Sequence, residues 1–163
     1  FNKHCDRVKM ANIAQLVNVL QSVILTEGAK MVLTPTYYVF HMFRGHQESE
    51  LLDSTLTTEM VGEGEDKMPH VSESVSMDAE GNILITLGNL SSEEADTVTV
   101  QFMDKKISQI KARILTGAMT AHNTFDEPDC VKEEDFTGYQ ITEEGDITVE
   151  LPACSVVQIE IRA

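Results

Sequence analysis

Five short runs in the second half of the chain place an apolar residue at every other position. They are Ile83, Ile85 and Leu87; Val98, Val100 and Phe102; Ile110, Ala112 and Ile114; Ile147, Val149 and Leu151; and Val157, Ile159 and Ile161. Side chains on an extended strand alternate between faces, so a period of two puts each apolar set on one side of a sheet. Between the runs stand "DAEGN" at 78–82, "SSEEAD" at 91–96 and "EEGD" at 143–146. These carry the Gly, Asn, Asp and Ser that tight turns use, and hairpins are the expected connections. Short strands without intervening helical patterns favour an antiparallel sandwich over a parallel sheet. A β-sandwich is therefore expected over residues 46–163.

Residues 1–45 follow no such rule. In "LTPTYYVFHMF", Thr34 suits a helix N-cap and Pro35 the first helical position, and Val39, Phe40 and Phe43 are spaced for a buried stripe, which predicts a helix over 35–44. The most apolar stretch, "MANIAQLVNVLQSVILTEG" at 10–28, is interrupted by the amides Asn12, Gln15, Asn18 and Gln21. A buried amide needs a hydrogen-bond partner, so the run hints at a core element carrying a site or at a helix with a polar edge. Periodicity alone suits a helix over 6–18, with Val8, Ala11 and Gln15 on one face. The chain opens at Phe1 without the regions of a signal peptide and reads as a piece cut from a longer protein.

Composition excludes several functions. With 27 acidic against 12 basic residues and a net charge of -15, the chain is ill suited to nucleic acid or to an anionic membrane surface. No apolar run reaches the roughly 18 to 20 residues that span a bilayer, so a soluble piece is expected. Cys5, Cys130 and Cys154 are odd in number and lack CxxC spacing; a single Cys130–Cys154 bridge is the pairing to consider. His4, His41, His46, His70 and His122 are scattered. His41 and His46 fall on different helical faces, so no HExxH-type metal site is expected, and no cofactor either. Neither GxGxxG, a P-loop nor GxSxG occurs. The acidic clusters "EGED", "SEEAD" and "KEED" lie in turns, where they read as solvated charge rather than as paired catalytic carboxylates. The long stretch "TAHNTFDEPDCVKEEDF" at 120–136 is neither alternating nor apolar. Its Asn123 and Asp126 suit caps on local backbone, or contacts to a ligand or neighbouring domain.

Longer strings go further. "FNKHCDRVKMANIAQLVNVLQSVILTEG" followed by "MVLTPTYYVFHMF" resembles the end of the catalytic barrel of α-L-arabinofuranosidases of glycoside hydrolase family 51, and "NTFDEP" and "LPACSVVQIEI" resemble that family's closing sandwich. The resemblance runs through nearly the whole chain and is densest from Phe1 to Phe43. It implies the last strand and helix of a (β/α)8 barrel over 1–45, with a strand around Val8 to Gln15, followed by a jelly-roll β-sandwich over 46–163.

The implied activity is release of terminal arabinofuranose from arabinan and arabinoxylan with retention of configuration. The family's acid/base Glu follows an Asn and its nucleophile precedes a Trp. This chain has no Asn-Glu dipeptide and no Trp, so no catalytic residue is expected here and both glutamates are expected upstream. The resemblance makes Gln15 the one substrate-contacting residue, at the carboxyl end of the last barrel strand where barrel enzymes carry their sites. An amide can donate to and accept from sugar hydroxyls without adding charge. The competing role for Gln15 is a cap on loop backbone; Asn18 is expected to order the loop that follows. The implied partners are the upstream barrel, an arabinose-containing saccharide and, as a separate reading, further copies in a homo-oligomer. A stand-alone carbohydrate-binding module is the alternative, though it lacks an evident aromatic platform for sugar rings. Periplasmic, secreted and cytoplasmic locations all fit.

Overall fold

The computed structural model describes residues 1–103, 107 and 109–162. In chain order it contains strands β1 (Ile24–Glu27) and β2 (Lys30–Leu33), helix α1 (Pro35–Phe43), then β3 (Glu50–Leu51), β4 (Met60–Val61), β5 (Met68–Pro69) and β6 (Val71–Met77). There follow β7 (Ile83–Asn89), β8 (Asp96–Val100), β9 (Ile110–Thr116), β10 (Glu134–Asp135), β11 (Tyr139–Ile141), β12 (Ile147–Leu151) and β13 (Ser155–Ile161). All the ladders between these strands are antiparallel.

Two sheets face each other. One runs β10-β9-β13-β7-β6-β3 and the other β11-β12-β8. Each alternating run of the sequence lies within one strand, except that Phe102 falls just past the end of β8, and the alternation sets the layers. Ile83, Ile85 and Leu87 of β7, Ala112 of β9 and Val157, Ile159 and Ile161 of β13 meet Ile147, Val149 and Leu151 of β12 in one buried cluster. Val98, Val100 and Phe102 pack against it from the edge. This is the expected sandwich, with strands that cross between sheets as in a jelly roll.

The connections only partly follow expectation. "DAEGN" does close a hairpin between β6 and β7, and Gly81 takes φ 86 there. Asp78 Oδ1 accepts the backbone N–H groups of Glu80 and Asn82, and its Oδ2 accepts the Asn82 amide. That amide bond, helped by the backbone donors, holds the Asp78 carboxyl below the usual carboxylate range. "EEGD" likewise joins β11 to β12. "SSEEAD", however, is no hairpin, because β7 and β8 lie in different sheets. Buried Asn89 explains the crossing: its amide donates to the carbonyls of Glu94 (2.9 Å) and Leu151 (3.2 Å) and its Oδ1 accepts the Ser91 N–H. It thereby clasps the β7–β8 crossing to the β12–β13 crossing, where Cys154 N donates to Ser91 O at 2.8 Å.

The outer face of the larger sheet carries α1. The helix starts at Pro35 as expected, but its buried stripe is Tyr38 and Met42, one turn apart, while Phe40 is exposed and Val39 and Phe43 are half-buried. Tyr38 and Met42 pack on Leu115 and Val131, beside Val156. Thr34 holds the N-cap position without capping, because its hydroxyl donates instead to Ser22 O (2.6 Å) and Val23 O (3.2 Å). After α1 a single 3-10 turn at 44–46 sets His46 on the sheet. Its Nδ1 lies 2.8 Å from Ser76 Oγ and its Nε2 lies 2.8 Å from Thr86 Oγ1. The long stretch at 120–136 wraps over the helix. Asn123, only 3% exposed, donates to Leu33 O (2.8 Å) and Val131 O (2.7 Å) and accepts Val131 N–H (2.7 Å). It is both a local cap and a tie to the lead-in, whereas Asp126 is exposed.

The strand expected over Val8 to Gln15 is absent as a ladder: residues 8–15 belong to no helix and pair with no described residue. A strand exists only through its neighbours' hydrogen bonds, and none runs alongside this segment. All three cysteines are free.

Two outcomes are expected. Asn123→Ala leaves two carbonyls and one N–H without their partner and should cost about 3 kcal/mol in urea unfolding, against almost nothing for Asp126→Ala. Burial lowers the His46 pKa from its ordinary 6.5. The neutral ring's contribution is therefore full above about pH 6.5 and declines as pH falls through that value toward the folded pKa. His46→Gln should flatten this part of the stability–pH curve between about pH 7 and 5, as read from urea midpoints.

Candidate functional site

The segment carrying Gln15 is built from backbone bonds around one hairpin. Glu27 pairs with Lys30 across a two-residue turn whose first residue, Gly28, takes φ 59, as glycine-first hairpin turns do. Residues 16–24 fold back beside it. Leu16 O accepts both Val23 N–H and Ile24 N–H at 3.1 Å, Asn18 N donates to Ile24 O at 3.1 Å, and Ser22 N donates to Val19 O at 3.0 Å. Asn18 takes the left-handed φ of 55 that asparagine tolerates. Its side chain then locks the loop to β1, with Oδ1 accepting Thr26 N–H at 2.7 Å and Nδ2 donating to Thr26 Oγ1 at 2.9 Å. This is the ordering role expected of Asn18.

Gln15 sits where this closed loop begins. It is exposed, and its amide makes no hydrogen bond to any described residue. Asn12 and Gln21 are exposed as well, so the amides of the opening run are surface groups and not buried ones. Leu16 and Leu20 (90% exposed) of the same run and Met31 of β2 are exposed too. The segment exposes apolar side chains and amides together, groups able to pack against another element and to hydrogen-bond a polyhydroxy ligand.

No acid–base pair accompanies it. Among the described residues, no Asp or Glu is among the buried polar ones. The most enclosed carboxylates are already engaged: Glu73 with Lys3 and Ser54, and Glu133 with His41 (2.9 Å) and Arg113 (3.1 Å). Among the described residues, no three His, Cys, Asp or Glu side chains gather as a metal site, and no helix is long and apolar enough to cross a membrane.

Sequence reasoning did not find the His41–Glu133 pair, the His46 bridge or the β1–β2 hairpin. Only the hairpin had a local signal, the Gly28 turn; the other two join residues far apart in the chain.

The fold and this loop together define a sandwich domain with a docked helix and hairpin whose enclosed carboxylates Glu73 and Glu133 are both engaged in ion pairs. The family described as "Alpha-L-arabinofuranosidase C-terminal domain" matches residues 1–155, and the chain belongs to that family. It is 43% identical to an intracellular exo-alpha-L-arabinofuranosidase of Bacteroides ovatus, over 99% of this chain and 32% of that relative. Among solved structures it is similar to the GH51 arabinofuranosidase of Xanthomonas axonopodis pv. citri, with 37% identity, a TM-score of 0.93 and coverage of 99% of this chain and 33% of the other. It is also similar to the alpha-L-arabinofuranosidase of Thermotoga maritima in complex with arabinose, with 26% identity, a TM-score of 0.85 and coverage of 99% and 35%. The chain thus spans about a third of the length of these relatives.

Asn18→Ala should release the Thr26 amide. Hydrogen exchange at Thr26 is expected to quicken by roughly tenfold, the size of one lost hydrogen bond, while the core amides of β13 stay protected.

Proposed function

We propose that this chain is the C-terminal part of a retaining α-L-arabinofuranosidase that releases terminal arabinofuranose from arabinan- and arabinoxylan-type chains. One observation carries the reading: the likeness to arabinofuranosidases runs through 99% of this chain yet occupies about a third of each relative. In this reading residues 1–45 are the last unit of a (β/α)8 barrel and residues 46–163 are its accessory sandwich.

The chemistry divides accordingly. Retaining hydrolysis needs one carboxylate to attack the anomeric carbon and a second carboxyl to protonate the leaving oxygen, about 5 to 5.5 Å apart. Both come from the upstream barrel. This chain contributes Gln15, whose free amide donates to one sugar hydroxyl and accepts from another. Such a contact adds no charge beside the catalytic pair, and it orients the ring against them. The exposed Leu16, Leu20 and Met31 then pack against the upstream barrel.

The isolated chain should not turn over an aryl α-L-arabinofuranoside that the full-length protein hydrolyses; turnover by the chain alone would overturn the reading. In the full-length protein Gln15→Ala should lower kcat/KM by roughly tenfold to a hundredfold, the loss of one or two sugar hydrogen bonds, and unchanged kinetics would overturn its role as a sugar contact. The chain should run unretarded through gels containing arabinan or arabinoxylan, whereas retardation would favour a carbohydrate-binding module.

A further inference from the structure

A second site lies away from Gln15. Between the end of α1 and the outer face of the larger sheet is a cleft of about 270 Å³ whose lining includes Arg44, Lys111, Arg113, Gln158 and Glu160. In a chain with a net charge of -15, three of its twelve Lys and Arg residues converge on this one cleft.

The strand pattern makes the convergence. On β9, Ile110, Ala112 and Ile114 turn to the core cluster, so Lys111 and Arg113 project from the opposite face. On β13, Gln158 and Glu160 lie directly across from them in register. The 3-10 turn after α1 brings in Arg44 from above.

Two acids also line the cleft. Asp78 accepts hydrogen bonds from its own turn and keeps its charge, and Glu160 lies 3.6 Å from Arg162, while Glu133, outside the lining, engages His41 and Arg113. Among the described residues, Lys111 and Arg44 have no carboxylate within ion-pair distance, and Arg113 Nε is buried without an acceptor. A guanidinium offers five donors, and Arg113 spends one nitrogen on Glu133. The lining therefore sets three cations, Arg44, Lys111 and Arg113, against the carboxylates of Asp78 and Glu160, a positive balance in a chain whose overall charge is -15.

We propose that this cleft binds the carboxylate of a sugar acid, a single uronic acid residue, with Lys111 and Arg44 gripping the carboxylate beside Arg113. Bidentate pairing with a planar carboxylate is what guanidinium geometry favours. The Gln158 amide, which donates to Met42 O, keeps its carbonyl oxygen for a ring hydroxyl. The volume lies just below the roughly 300 to 1,000 Å³ of pockets for drug-sized ligands, a size suited to one sugar ring. Anion binding stands on the cleft alone; the choice of a sugar acid among carboxylates rests on the ring-sized volume and the Gln158 carbonyl oxygen, together with the proposed role on a saccharide.

The test is calorimetric titration of the full-length protein with galacturonate, glucuronate, arabinose, acetate and inorganic phosphate. The two uronates should bind, weakening as salt is added, and arabinose should give no competing signal here when the cleavage site is saturated with it beforehand. Lys111→Met and Arg44→Gln should each weaken uronate binding by roughly tenfold, the size of a charge-assisted hydrogen bond, while leaving aryl arabinofuranoside kcat/KM unchanged. Absence of uronate binding, or binding indifferent to both substitutions, would overturn the site. Acetate or phosphate binding as tightly as the uronates would overturn its assignment to sugar acids. Because binding is read without hydrolysis, failure here leaves the arabinofuranosidase reading intact, and an inactive full-length protein that still binds uronates separates the two the other way.

Discussion

Strand β13 is the member on which the structure depends. Its seven residues pair with β7 on one side and β9 on the other without a break in register, so it joins parts of the chain that begin about seventy and forty residues earlier. Its inner side chains, Val157, Ile159 and Ile161, sit in the middle of the sandwich core. Burying each one contributes about 1.5 to 3 kcal/mol by transfer arithmetic, set against the backbone entropy of ordering the strand. Its outer side chains serve a different purpose. Val156 packs with the cluster under α1, and the Gln158 amide donates to Met42 O. One strand thereby fixes the sheet order, the core and the seat of the helix.

The outer face of that sheet is polar where a core would be apolar, and the polarity is put to use. Ser76 and Thr86 sit on adjacent strands, β6 and β7, and His46 spans them with both ring nitrogens. A histidine held between two hydroxyls can keep either tautomer, because each hydroxyl rotates to donate or accept. The bridge is thus satisfied while the ring is neutral, and burial is what disfavours its charged form. A helix seated by Met42 and Tyr38 on one stretch and by a hydrogen-bonded turn on the next cannot slide along the sheet, since apolar packing alone leaves register free and directional bonds do not.

How much of this was legible in the sequence follows from the range of each interaction. The alternating runs located the major strands because period-two burial is a local property, and Ile147–Leu151 and Ser155–Ile161 were readable on those grounds. Val71–Met77 escaped notice because its serines and Glu73 dilute the alternation, and what makes it a strand is the ladder with β7. "SSEEAD" has turn chemistry, and composition cannot say whether a turn returns to the same sheet or crosses to the other. That choice is made by Asn89, which reaches the carbonyl of Leu151 sixty-two residues away. The buried stripe of the helix falls one position before Val39 and Phe43 because burial follows the face toward Leu115 and Val131, distant residues that the helix's own spacing does not encode. For the site, the string around Gln15 pointed to a role, but only the structure shows that the amide is free and that Asn18 and Thr26 hold the loop behind it.

Those bonds form a continuous strut from sandwich to site. Asn123, in the loop that wraps the helix, donates to Leu33 O at the end of β2. The next residue, Thr34, bonds Ser22 O and Val23 O through its hydroxyl and Val23 O through its N–H. Val23 N in turn donates to Leu16 O, and Leu16 follows Gln15 directly. Each link is short, and the two at its base, Asn123 and Ser22, are buried where an unmade hydrogen bond is costly. A side chain that must meet a sugar hydroxyl gains from being held before the sugar arrives, because a displacement of about 1 Å can cost two orders of magnitude in rate. In the proposed function the sandwich therefore matters to catalysis through geometry: it holds the backbone from which the proposed sugar contact projects.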